Sequence, residues 1–100
     1  MERFELAHLR ARQGASRRAY LEFQRSADLS AGLYVLPAGG TDGQSPHTED
    51  EIYCVLAGRA HVTVGDETAP VGPGDVIFVG AGVPHRFHDI TQDLQLLVVF

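Results

Sequence analysis

The sequence predicts an all-β domain, a small barrel or sandwich, led by a short helix. Two observations carry this. After the first 18 or so residues the apolar positions recur with a period near two rather than about 3.6. Gly and Pro then cut the chain into roughly seven short apolar segments, at spacings of about ten residues. With 100 residues the chain makes one core, burying roughly 60 to 70% of the surface its unfolded form exposes.

The elements follow in order. In "ERFELAHLRARQ" the helical spacing of Phe4, Ala7 and Ala11, or of Leu6 and Leu9, predicts a short amphipathic helix that Gly14 ends. "AYLEFQRS" alternates weakly, and "LSAGLYVL" ends in an apolar run stopped by Pro37. "EIYCVLAG" is apolar up to Gly58, and "RAHVTVG" alternates up to the turn "GDE". After the Gly- and Pro-rich turn "PVGPGD" come "VIFVG", the turn "AGVP", "HRFHDI" and "DLQLLVVF". Residues 1–28 are thus a helix and leading strand belonging to the same fold as the barrel, which occupies residues 29–100. The run "LLVVF" lacks polar alternation, so its strand is expected to be covered on both faces, by the N-terminal segment or by a second subunit in a homodimer.

Composition narrows the function classes. Hydrophobic residues at 44% and charged residues at 21% are ordinary for a soluble globular domain. No apolar run approaches the roughly 20 residues that span a bilayer, and no membrane partner is expected. The N-terminus shows neither a secretory signal nor a transit peptide, and the single Cys54 forms no internal disulfide, which together suggest the cytoplasm. Cys54 reads as a small buried hydrophobe on a strand. The net charge is −5, and the arginines near the N-terminus are interspersed with Leu, Ala and Glu, so no nucleic acid is expected as partner.

The stretch "GGTDGQSPHTEDEIYCVLAG" opens an apolar strand with His47, Glu49, Asp50 and Glu51. In it Gly39, Ser45, His47, Glu51 and Gly58 stand at the spacing of a glycine, a His-x-His pair, a glutamate and a glycine, with Ser45 in place of the first histidine. Downstream, Pro73-Gly74, then Gly80-Ala81-Gly82, His85 and Asp89 stand at the spacing of Pro-Gly, Pro-x-Gly, a histidine and an asparagine, with Gly80 and Asp89 as replacements. Over about residues 32 to 100 the chain resembles the cupin superfamily. The resemblance implies a double-stranded β-helix, a jelly-roll barrel, with a metal at its mouth held by the motif histidines and glutamate.

Strand parity supports this independently. His47 and Glu51 share a face with Tyr53 and Val55, and His85 opens another strand with Phe87 on its own face. A carboxylate buried in a barrel costs several kcal/mol unless a cation compensates it. His47, Glu51 and His85 are therefore the expected ligands of a divalent transition metal, for which Fe, Mn, Ni, Zn and Cu all suit the set. Glu49, at the same parity, is a candidate fourth ligand unless a bulge over residues 48–50 turns it to solvent. His88 and His61 have outward parity, and His8 reads as surface. Arg59 and Arg86 read as surface charges. Tyr34, Tyr53, Phe78 and Phe87 are core or the lining of a pocket for an apolar or aromatic small molecule. The resulting expectation is a small metal-binding cupin that acts on or binds a small organic molecule, with dioxygenase-like or isomerase-like chemistry. The alternative is a non-catalytic binding or sensor module, or a cupin with a vestigial site.

Overall fold

The computed structural model describes residues 1–100. Helix α1 (Leu6–Ser16) precedes β1 (Tyr20–Arg25), β2 (Ser30–Leu36), β3 (Glu51–Val64), β4 (Glu67–Val71), β5 (Val76–Val79) and β6 (His85–Val99). The strands run antiparallel in the order β1-β2-β6-β3-β4, with β5 paired to the first residues of β3. This is the all-β jelly roll with a short N-terminal helix that the sequence predicts.

Closure comes from the two long strands. On β3, Glu51, Tyr53 and Val55 are buried, and after Gly58 the buried positions become Ala60 and Val62. On β6, His85 and Phe87 are buried, and after Asp89 the buried set becomes Ile90, Leu94, Leu96 and Val98. Both strands therefore change parity midway, and their mutual register slips repeatedly between Val55 and His61. Side chains alternate strictly on a regular strand, so each change marks a bulge that bends the strand and lets one sheet fold over itself. Gly58 has φ +94°, and a Cβ there would lie 2.2 Å from the Asp93 carbonyl oxygen. Only glycine fits that crossing of β3 and β6. The second kink uses Asp89 at φ +49°, a conformation that Asp tolerates better than most residues.

Each predicted pair of short segments on either side of these bends is one continuous strand. The parity change had made "EIYCVLAG" and "RAHVTVG" look separate. Strand β4 was hidden inside a stretch read as turns, because Pro70 sits in it opposite His61; β4 is an edge of the sheet, where a missing N–H is tolerated. The helix continues through Gly14 and ends when Arg17 turns to φ +58°. Gln13 Nε2 holds that exit by donating to the carbonyls of Arg18 and Ala19.

The core runs along the inward sides of β3 and β6, with Tyr53, Phe87, Leu94 and Leu96 essentially sealed from solvent. Helix α1 packs on β1 and β2, burying Leu9, and Arg10 Nε donates to Gln95 Oε1 at 2.7 Å. Beside it the outward face of β5, β3 and β6 stays open. Phe78 lies opposite Ile52, which lies opposite Val99; Val76 lies opposite Cys54, which lies opposite Leu97. Phe78 and Val76 are 62% and 65% exposed. Cys54 is on this outward face and half-buried, not a core residue. Two expectations are thereby corrected: Phe78 is neither core nor pocket lining, since its neighbour Val79 takes the inward position on β5.

Gly58→Ala is expected to lower stability by about 3 kcal/mol or more, from left-handed strain together with the backbone clash. The midpoint of urea unfolding relative to the parent chain checks this.

Candidate metal centre

Glu51 is the first residue of β3 and His85 the first of β6, but the two are not hydrogen-bonded partners in the sheet: Glu51 lies opposite Val79 and His85 opposite Val64. They meet across the barrel. His85 Nε2 is 2.9 Å from Glu51 Oε1, and both side chains are 1% exposed. His47 reaches the same point from the loop before β3, its Nε2 3.9 Å from Glu51 Oε2, and its side chain is 36% exposed. One donor atom from each residue falls within a group spanning 4.8 Å. An ion with bonds of about 2.1 Å holds its ligands up to roughly 4 Å apart, so the cluster is close to coordination size.

Proton accounting shows what the cluster lacks. His85 Nδ1 is 2.8 Å from the Val83 carbonyl oxygen, which can only accept, so Nδ1 carries a proton, and in the neutral form of the ring Nε2 presents a lone pair. Tyr53 Oη lies 3.0 Å from that Nε2 and 2.7 Å from Gln44 Oε1. Gln44 donates its Nε2 to Asp42 Oδ2 at 2.6 Å, so its Oε1 is an acceptor and takes the single proton of Tyr53. Neither Glu51 oxygen receives a hydrogen bond, although both are buried. With His85 neutral and Glu51 ionised, electron pairs of a carboxylate, an imidazole and a phenol oxygen converge there with no donor among them. The gap takes either an extra proton shared by Glu51 and His85 or a metal ion, and the two imidazoles with one carboxylate fit a divalent transition metal.

Asp42 organises the surroundings. Its buried carboxylate accepts from Tyr34 Oη at 2.6 Å, from the backbone and side chain of Gln44, and from the Phe87 N–H at 2.9 Å. Four donors tie the irregular loop between β2 and β3 to both halves of the barrel. Burial, reinforced by the bond to Asp42, holds the Tyr34 hydroxyl well above its ordinary range. Burial beside the Glu51 charge does the same for Tyr53.

With this geometry the comparison with known sequences is decisive: the cupin domain profile matches residues 32–100. The chain belongs to the cupin family. It is 52% identical over 100 residues to an uncharacterized protein of Streptomyces coelicolor, all of this chain aligning with 95% of that one. The crystal structure of TT1209 from Thermus thermophilus superposes with a TM-score of 0.78 at 33% identity, over 99% of this chain and 95% of that chain. Dimethylsulfoniopropionate lyase DddQ of Ruegeria pomeroyi is 33% identical over 76 residues, which are 75% of this cupin and 38% of that protein. Its crystal structure gives a TM-score of 0.71 over 81% of this chain and 46% of that chain.

Beside the cluster this cupin has a cavity of about 200 Å³, walled by Tyr20, Tyr34, Tyr53 and Phe100 and reached by His47, Glu51 and Gln44. Tyr34 and Tyr53 are among its walls. Phe87 is not; it lies beneath Tyr53, ring centroids 5.0 Å apart in edge contact, and carries the cavity's inner wall. Glu49, the candidate fourth ligand, lies outside the cluster: it is exposed and accepts from Thr48 Oγ1 at 3.2 Å. Regular strand begins only at Glu51, so parity does not extend back to residue 49. Ser45, at the replaced histidine position, is also exposed. His88 and His61 stack on the outward face, ring centroids 5.9 Å apart, away from the cluster.

Sequence reading missed Asp42, Gln44 and Tyr20. The first two sit in a loop without periodicity, where no pattern separates a buried acid from a solvated one. Tyr20 had the signal, since it alternates on the leading strand, but it lies far in sequence from the motif histidines.

Burial raises the Glu51 carboxyl above its ordinary 4.5, against the opposing pull of His47 and His85. A carboxyl with a raised folded pKa favours the fold fully only below its unfolded value, and that contribution is lost as pH rises through the folded value. Metal-free protein is therefore expected to lose stability as pH climbs from about 4.5 through the raised value. Urea titrations in chelator across this window should show the decline, and Glu51→Gln should flatten it.

Proposed function

We propose that this cupin is a mononuclear metalloprotein in which His47, Glu51 and His85 hold a divalent transition ion and the adjoining cavity takes a small organic molecule. The observation that carries the reading is the meeting of two buried groups, Glu51 and His85, at 2.9 Å, with His47 beside them and neither Glu51 oxygen accepting a hydrogen bond. A buried anion in that state costs several kcal/mol, and a cation removes the cost. Three protein ligands leave coordination positions for water or substrate, and the ion supplies Lewis acidity or redox capacity there.

The residues around the ion have separate tasks. Val83 fixes the His85 tautomer through its carbonyl, as an outer partner orients a metal-bound imidazole. Gln44 and Asp42 fix the Tyr53 hydroxyl. The cavity is smaller than the roughly 300 to 1,000 Å³ of drug-sized sites, which favours a molecule of a few heavy atoms. Similarity to a lyase named for dimethylsulfoniopropionate, a small metabolite, is consistent with an enzyme of this size class.

A homodimer and a cytoplasmic location complete the proposal. The open apolar face centred on Ile52, Val76 and Phe78 is the face that a second copy would cover, since α1 shields only the neighbouring β1 and β2.

Two outcomes are expected. Metal analysis of protein purified without added metal should find close to one divalent ion per chain, and His47→Ala or His85→Ala should weaken binding of added Co(II) by more than about 100-fold, beyond the effect of losing an outer partner. Glu49→Ala should bind as the parent does. Sedimentation velocity should show a dimer, and Phe78→Lys should raise its dissociation constant at least about tenfold.

A further inference from the structure

The cavity contains one hydroxyl that the network above does not use. Tyr34 Oη is committed to Asp42 and Tyr53 Oη to Gln44, while Tyr20 Oη is buried without any hydrogen-bond partner. Tyr20 lies on β1 directly opposite Tyr34 on β2, its ring in edge contact at 6.1 Å between centroids, and it walls the same cavity as His47 and Glu51. Burial, together with the Glu22 and Glu51 charges, lifts its hydroxyl to about 12, so it stays protonated and able to donate.

The seat of this ring is specific. A Cβ on Gly32 would stand 2.2 Å from Tyr20 Cζ and 2.3 Å from its Oη. Any side chain at residue 32 would expel the ring, so a glycine in the middle of β2, where it is unfavourable to the strand, makes room for it. A buried hydroxyl with no partner is unfavourable too. Both features are explained if a bound molecule supplies the missing acceptor.

We propose that Tyr20 is a ligand-contacting residue whose hydroxyl donates to an acceptor oxygen of a small carboxylate or similar oxygen-bearing molecule placed beside the metal, with Gly32 as the positioning residue that seats its ring. The proposal rests on the metal-site reading, and it names the class of molecule that the site takes. Tyr20 also lies outside residues 32–100, the part of the chain that matches the cupin domain, so the N-terminal strand adds to the cavity wall its one uncommitted tyrosine hydroxyl.

The test uses the full chain loaded with Co(II), titrated with acetate and followed by the visible absorption of the ion, with metal affinity and unfolding measured separately. Wild type is expected to bind acetate, Tyr20→Phe to bind it at least about tenfold more weakly, as loss of a hydrogen bond to a charged group implies, and to keep its Co(II) affinity. Because Tyr20→Phe removes an unpartnered hydroxyl and keeps the ring, its metal-free stability should equal or exceed that of wild type; a purely structural tyrosine would lose stability. Gly32→Ala should reproduce the acetate defect. Acetate binding unchanged in Tyr20→Phe, a parallel loss of Co(II) affinity, or no acetate binding by Co(II)-loaded wild type would each overturn the inference. Failure of wild type to bind Co(II) at all would instead strike the metal-site reading on which it rests.

Discussion

The structure turns on a deficit of positive charge at one point inside the barrel. A neutral imidazole has one proton, and the Val83 carbonyl takes that of His85. The phenolic proton of Tyr53 goes to Gln44, whose own amide protons are drawn by Asp42. Each of these bonds is ordinary, yet their directions leave Glu51 Oε1 and His85 Nε2 facing each other at 2.9 Å without a proton assigned between them. The phenol and amide donors nearest this point are committed elsewhere, and that arrangement is what the proposed cation site rests on.

That placement depends on how the two long strands bend. Had β3 and β6 kept a single parity, Glu51 and Val62 could not both face the core, nor could His85 and Leu94. The bulges at Gly58 and Asp89 reverse the alternation midway, so each strand contributes one end to each half of the barrel and both keep an inward face throughout. Glu51 and His85, two of the proposed ligands, stand at the first residue of each strand, where the chain enters the barrel from a loop. The motif glycine at position 58 is thus linked to the motif glutamate at position 51 by mechanics: it supplies the bend that keeps the rest of β3 buried once Glu51 has turned inward.

The parts of this architecture legible in the sequence were those written as local patterns. The strands around Tyr53 and Leu96 could be read as apolar runs between turn residues, that around Val62 from period-two alternation, and His47, Glu51 and His85 from spacing within motifs. Parity failed wherever regular strand stopped. Glu49 shares parity with Glu51 but precedes the strand, so it points to solvent beside Thr48. In "VIFV" every residue is apolar, and alternation cannot tell which of Phe78 and Val79 faces in. Asp42 was illegible for a different reason: a carboxylate in a Gly-rich loop reads as solvated until its four donors, from three separate segments, are seen to converge.

Serine at position 45 gains its meaning from the same geometry. A histidine in that place would add an imidazole to the ligand set, whereas Ser45 is exposed, and the residue beside it, Gln44, turns into the cavity to anchor Tyr53. At the proposed site, one fewer protein ligand would weaken the hold on an ion and leave a coordination position open. Tyrosines 20, 34 and 53 and Phe100 wall the space beside the cluster, and of the three tyrosine hydroxyls only that of Tyr20 is left uncommitted. Gly32 keeps the Tyr20 ring at the edge of that space.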